Sequence, residues 1–426
     1  MNKRLISIIS IFSLCVAMTG CSNKNNDSSS NSTENSQITT TSPKSESIGE
    51  IDTYVKLSDN NTTVDGEGVT VENNTITITN AGTYSISGSL SDGQVIINTN
   101  KEEKTYILLD GANITCSNSA AINVISSKKT VISLADGTKN YIRDGSEYVF
   151  EDETTDEPNA AIFSKEDLTF IGTGSLEVSG NYDRAIVSKD DLVIQDGNIN
   201  VTSVGDALRG KDSVVVTGGN ITINAGGDGI DSNGNIEMTD GVVIVNGPTN
   251  GGNGALDYDG NFNISGGTLI AAGSLGMVQT PSDVSSQNSL NISVSQQDAN
   301  SIIHVEDESG NNVLTFAPSK TYQSVVVSLP EIKYNSTYKV YVGGSSTGTQ
   351  SDGLYSGGTY SKGTEIGSTT VSSSITSITQ DVISSGGSIG MPRGGRGGNR
   401  GNMQSAPQSN VRNENTQQGN SEGEIQ

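Results

Sequence analysis

Five segments of this 426-residue chain can be written under one another: AAIFSKEDLTFIGTGSLEV from Ala160, RAIVSKDDLVIQDGNINV from Arg184, DALRGKDSVVVTGGNITI from Asp206, DGIDSNGNIEMTDGVVIV from Asp228 and GALDYDGNFNISGGTLIA from Gly254. Their aliphatic anchors Ile162, Ile186, Leu208, Ile230 and Leu256 are spaced 24, 22, 22 and 26 residues apart. A period in this range marks a solenoid, whose units bury their apolar faces only against their neighbours.

Apolar and polar residues alternate within each copy, which is strand periodicity, and Gly pairs or Asp-Gly separate the runs. Six places after the anchors stand Leu168, Leu192, Val214, Ile236 and Phe262, and eight places after stand Phe170, Ile194, Val216, Met238 and Ile264. Beyond the turn glycines follow Leu176, Ile199, Ile221, Val243 and Leu269. Each coil thus supplies three short strands, and coils stacked at the strand spacing of ~4.8 Å enclose a continuous core. Parallel strands joined by tight turns, without a helical pattern between them, predict an all-β parallel β-helix of about 22 residues per coil. A leucine-rich horseshoe lacks its consensus here, and a β-propeller needs a longer period.

The same vocabulary begins near Ile51, in NTITITNAGTYSISGSL and YILLDGANITCSNSAAINV. An acidic insertion, read as a solvated loop, is expected from about Asp136 to Glu157. Past Pro281 the rhythm changes to longer, hairpin-like strands suited to covering the last coil. His304, the single histidine, falls in such a strand and reads as structural.

At the N-terminus, Lys3 and Arg4 precede the apolar run Leu5 to Ala17 and then Met18-Thr19-Gly20-Cys21, the pattern of a secretion signal. The run is shorter than the ~20 apolar residues a membrane span needs. It resembles a bacterial lipoprotein leader, which implies lipidation of Cys21, anchoring to the membrane and exposure outside the cytoplasm at the cell surface. The expected division is a leader over 1–20, a Ser/Asn-rich disordered tether over 21–47, the β-helix over 48–283, a β-strand cap over 284–372 and a disordered tail over 373–426 carrying Arg393, Arg396 and Arg400. The chain is expected to be a monomer.

With Cys15 and Cys21 spent in or beside the leader, only Cys116 remains, so neither a disulfide framework nor a cysteine zinc site can form. The net charge of −24 becomes −26 when Lys3 and Arg4 leave with the leader. Nucleic acid, which needs a basic face, is therefore not an expected partner. One histidine also excludes multi-histidine metal sites.

Polar residues fall into columns too. Two places before the anchors are Ala160, Arg184, Asp206, Asp228 and Gly254; one place after are Phe163, Val187, Arg209, Asp231 and Asp257; three places after are Lys165, Lys189, Lys211, Asn233 and Asp259. Asp206 is thus expected over Asp228, and Asp231 over Asp257, at ~5 Å. Two bare charges at that distance repel by roughly 3 kcal/mol at an effective dielectric near 20. Calcium, which takes six to eight hard oxygen ligands, offsets such repulsion, so Asp206, Asp228, Asp231, Asp257 and Asp259 are its candidate ligands. A solvated acidic face screened by salt is the alternative. The small residues before the anchors (Ala161, Ala185, Ala207, Gly229, Ala255) are expected to leave room beside the carboxylates. Arg184, Lys189, Arg209 and Lys211 on the same face suit a carboxylated polymer, or else form surface ion pairs. Tyr258 and Tyr182 are the candidate sugar-stacking rings, since the chain has no tryptophan.

The phrases NAAIFSKEDLTFIGTGSLEVSGNYDRAIVSKDDLVI, GDALRGKDSVVVTGGNITINAGGDGIDSNG and IHVEDESGNNVLTFAPSKTYQSVVVS resemble the bacterial secreted carbohydrate-binding right-handed β-helix family, over roughly 52–344. The resemblance implies a polysaccharide-lyase-like fold, calcium, and binding of cellulose or acidic sugars without established catalysis. It departs at Arg184, where relatives tend to have Asp or Asn. The expected function is calcium-dependent binding of plant cell-wall or other uronate-containing polysaccharide. Two further readings stand beside it. A pectate-type lyase would use Arg209 or Lys211 as the base for β-elimination. A structural adhesin would instead bind a protein partner.

Overall fold

A computed structural model of the protein describes residues 45–380 apart from Glu151 and Glu153. The leader, Cys21, most of the tether and the arginines of the tail lie outside the described residues. Among the described residues every regular element is a strand, and the parallel β-helix predicted from the repeat is what they form.

Each predicted apolar column is one stack of register partners. The anchors pair as Ile162, Ile186, Leu208, Ile230 and Leu256 in turn. On the second face Leu168, Leu192, Val214, Ile236 and Phe262 pair in the same way, and on the third Leu176, Ile199, Ile221, Val243 and Leu269. These side chains share one buried cluster running the length of the solenoid. The anchor face continues toward the N-terminus through Ile122, Val95 and Ile76, giving eight parallel strands on that face. Period-2 alternation sends the residue after each anchor away from the solenoid core, and this turns Arg209, Asp231 and Asp257 outward.

Open strand edges at the ends of a solenoid would template aggregation, and both ends are covered. At the first coil, Thr63–Asp65 pairs antiparallel with Thr53–Leu57, and Val69–Glu72 with Thr75–Ile78. At the last coil, Tyr322–Ser328 pairs antiparallel with Thr268–Gly273 and with Ser289–Gln297. The C-terminal strands build a second core, with Phe316, Tyr322, Val325 and Val340, which also takes Ile244, Ile270 and Ala272 from the coils. His304 is buried there, stacked on Tyr360 with ring centroids 3.8 Å apart and bonded through Nδ1 to Thr315 Oγ1 at 2.8 Å, as a structural histidine should be. Cys116 is buried in the main core, and burial raises its thiol pKa.

Three boundaries and one packing expectation differ from what the sequence predicts. Glu46, assigned to the tether, is fastened to the helix: its N–H donates to Gln195 Oε1 at 2.8 Å and its carboxylate pairs with Lys104 Nζ at 2.7 Å. Ile375–Thr379, assigned to the tail, is a strand parallel to Ser289–Gln297, because its Ile378 is needed by the cap core. Lys139–Asp144, assigned to the insertion, is an ordinary coil strand with Ile142 between Ile114 and Val178, so the inserted residues are 145–159. Finally, Ala161, Ala185 and Ala207 point into the core rather than beside the carboxylates. A Cβ at Gly229 would collide with Val245 Cγ1, so these positions are small because the core corner is narrow.

Candidate functional site

The four anchor strands Arg184–Ser188, Leu208–Gly210, Ile230–Ser232 and Leu256–Tyr258 lie side by side in parallel. Their register sets Arg209 beside Asp231 and Asp231 beside Asp257, as the column one place after the anchors requires. Leu208, Ile230 and Leu256 face the core, so these three polar side chains face out.

Residues two places before the anchor stack by a different device. Asp206 Oδ1 accepts the Asp228 N–H at 2.9 Å, and Asp228 Oδ1 accepts the Gly254 N–H at 2.6 Å. Each carboxylate spends one oxygen on the backbone of the next coil. Gly205 and Gly227 make this possible. A Cβ on Gly227 would lie 2.6 Å from Asp206 Oδ1, and one on Gly205 would collide with Asp183 Oδ1. The recurrent Gly-Asp pair is thus a packing signature for a carboxylate from the preceding coil.

The result is a cavity of about 340 Å³ lined by Asp206, Asp228, Asp231, Asp257, Asp259, Arg184, Arg209, Ser232, Asn233, Asn253 and Tyr258. Carboxylate oxygens of Asp206, Asp228 and Asp231 all lie within 4.8 Å of one another. Burial pushes Asp228 up to about 6, with the charges of Asp206 and Asp257 adding to it. Asp231 is likewise raised to about 6 by burial, against the pull of the Arg209 guanidinium. Asp257 is raised by burial and by Asp259.

Two arginines are threaded through this cluster. Arg184 donates from Nε to Asp206 Oδ2 at 2.9 Å and from Nη1 to Asp183 Oδ2 at 2.8 Å. Arg209 Nη1 bonds Asp231 Oδ2 and lies 3.6 Å from Asp206 Oδ2, while Nη2 donates to Asn233 Oδ1 at 3.0 Å. Around them stand Asp183, Asp206, Asp228, Asp231, Asp257 and Asp259, so the negative charge is only partly neutralised.

Eight of the sequence-selected residues therefore line one cavity: Asp206, Asp228, Asp231, Asp257, Asp259, Arg184, Arg209 and Tyr258. The two lysines do not. Lys189 pairs with Glu157 of the insertion, and Lys211 sits half-exposed, 3.8 Å from Asp212. Tyr258 is held at one wall by its hydroxyl bond to Thr280 O at 2.6 Å and by Gln279 Oε1, which accepts its N–H at 3.1 Å. Gln279 Nε2 also donates to Asp257 Oδ1 at 2.8 Å. Tyr182 stacks on Tyr148 of the insertion, with centroids 4.2 Å apart, and does not line the cavity. The insertion covers the outer side of the preceding coils, where Phe163 and Val187 are buried with Ala120 and Ala160. Tyr148 fastens it there through bonds to Asp144 Oδ2 at 2.8 Å and Ala160 O at 3.1 Å.

Sequence reasoning missed Asp183, Ser232, Asn253 and Gln279. Asp183 and Asn253 share a column three places before the anchors with Asn159, Gly205 and Gly227, so a signal existed. Gln279 lies beyond the repeat and had none.

A parallel β-helix with an acidic, arginine-threaded cavity on one face is the class that fold and site define. The model of a family described as carbohydrate-binding domain-containing protein matches residues 72–391, and the chain belongs to that family. A carbohydrate-binding domain-containing protein of Acetivibrio thermocellus is 36% identical over 200 residues, covering 47% of this chain. The match spans 65% of that relative's length. The chain is also similar to a solved structure titled as the polysaccharide lyase-like protein from C. thermocellum, a gadolinium derivative, at 32% identity and a TM-score of 0.42, over 51% of this chain and 93% of the other.

The donor set can be tested against calcium on its own chemistry. It offers carboxylate, amide and hydroxyl oxygens, with neither imidazole nor thiolate, and that is the set a hard divalent cation takes. Asp206, Asp228 and Asp231, with Asp257, Asp259 and the Asn233 and Asn253 side chains nearby, are the residues that would hold it.

Proposed function

We propose that this protein is a surface-anchored, calcium-dependent binder of uronate-containing polysaccharide. The observation that carries the reading is the convergence of Asp206, Asp228 and Asp231 beside the guanidinium groups of Arg184 and Arg209 in one open cavity. Bound calcium would supply a fixed positive centre for a sugar carboxylate. The protein's own residues do the rest. Arg184 offers a planar donor fork suited to carboxylates, and the half-buried Tyr258 ring lies at the wall against which a sugar ring would rest. The leader and Cys21 support an anchor that would hold this face outside the membrane.

Binding is favoured over β-elimination by where the two candidate bases sit. Lys211 lies outside the cavity lining, and Arg209 is engaged by Asp231 and Asn233. Calorimetric titration with polygalacturonate, in calcium and in chelator, tests the reading. Affinity only in calcium is expected. Equal affinity in both would remove the calcium part, and none in either would remove the function.

A further inference from the structure

The Arg209 guanidinium uses the same oxygens that a divalent cation would need. Its Nη1 is held by Asp231 Oδ2 and lies 3.6 Å from Asp206 Oδ2, and these are two of the three carboxylates that converge. Those oxygens can serve the guanidinium or a divalent cation, but not both at full strength. Arg184 is placed differently, because its Nη1 has Asp183, outside the converging group, as a second partner.

We propose that Arg209 is a specificity-determining residue with two alternative partners: Asp206 and Asp231, or, when these hold a divalent cation, an anionic group of the glycan in the cavity. This deepens, and rests on, the cation-binding reading above. Breaking a part-buried ion pair is costly when a charge is left unpaired. Here both halves find new partners, the carboxylates in the cation and the guanidinium in the sugar carboxylate, for which its planar fork is suited. The arginine lines the cavity with its side chain 30% exposed, so it can reach a glycan group without reordering the coil. Cation and anionic sugar then favour each other reciprocally, since a coupling between two sites acts equally in both directions. A neutral glycan would not feel this coupling.

The test is calorimetric titration of the full protein and of Arg209→Gln with calcium chloride, alone and with trigalacturonate. Arg209→Gln should bind calcium more tightly by about tenfold, within the range usual for coupled sites, and should lose the gain in trigalacturonate affinity that calcium gives the unaltered protein. Arg209→Lys, which keeps the charge without the fork, should fall between. Calcium binding by the unaltered protein that is equalled or weakened in Arg209→Gln overturns the competition while leaving the cation reading intact. If neither protein binds calcium, the cation reading fails and takes the competition with it. Should the variants not fold, the Nε–H resonance of Arg209 in the unaltered protein gives the same answer: it should move as calcium is added, and a signal unmoved at saturation overturns the proposal.

Discussion

Asp228→Asn separates a carboxylate kept for its charge from one kept for its hydrogen bond. The amide oxygen of asparagine can still accept the Gly254 N–H, so the link between coils survives the change. What disappears is a buried negative charge whose pKa stands at about 6. An unfolded aspartate titrates near ~3.9, so folding raises this pKa by about two units, and each unit is worth ~1.4 kcal/mol. The sign follows from proton uptake: between the two values the folded protein binds the extra proton, so this group weakens the fold as pH rises. The cost is absent below about pH 4, about half present at pH 5, and reaches about 3 kcal/mol by pH 7. Held in chelator, Asp228→Asn should therefore match the unaltered protein at pH 4 and exceed it at pH 7 by up to about 3 kcal/mol. Calcium at about 100 times its dissociation constant should add roughly 2.7 kcal/mol to the unaltered protein at pH 7, and much less to the variant. Urea unfolding at the two pH values, in chelator and in calcium, reads all four terms. A variant weakened by the same amount at pH 4 and pH 7 would refute the reasoning, since Asp228 would then act only through its hydrogen bond.

Further outcomes follow from other contacts. Gly227→Ala should cost about 1–3 kcal/mol by overpacking and weaken calcium binding, because its Cβ would meet Asp206 Oδ1 at 2.6 Å; unfolding and calcium titration measure both effects. Arg184→Ala leaves Asp183 and Asp206 without their shared guanidinium, and should reduce polygalacturonate affinity at least several-fold while the far-ultraviolet spectrum stays unchanged. Leu208→Ala opens a hole in the anchor stack and should lower stability by about 2–5 kcal/mol in urea. Lys211→Ala should change neither polygalacturonate affinity nor stability by more than about 0.5 kcal/mol, as expected for an exposed ion pair.

The fold was legible because a solenoid writes its contacts at a fixed sequence distance. Ile186 pairs with Leu208 and Leu192 with Val214, so columns in the alignment are columns in space. The same rule brought Arg209, Asp231 and Asp257 together. It failed where the period breaks. Gln279 reaches Asp257 from a loop that follows the repeat, and Glu46 reaches Gln195 across 149 residues, so no periodicity could reveal either. Lys189 and Lys211 share a column with Asn233 and Asp259, which do line the cavity, but Lys189 is drawn to Glu157 of the insertion, whose position the repeat does not encode, and Lys211 lies beside Asp212. The alanines before the anchors misled for the opposite reason. Smallness in a column shows that space is limited, and only the three-dimensional structure shows that the alanines face the core and that at Gly229 the limit is set by Val245 and the Ala255 carbonyl.

On the proposed reading, carboxylates from successive coils share one divalent cation beside a site for an acidic sugar. A crystal structure of the protein grown with calcium and an oligogalacturonide tests it most directly. The expected result is an ion ligated by Asp206, Asp228 and Asp231, with Arg209 turned from Asp231 toward a sugar carboxylate. An Arg209 still seated on Asp231, with no ion among these aspartates and the sugar bound on another face, would contradict it.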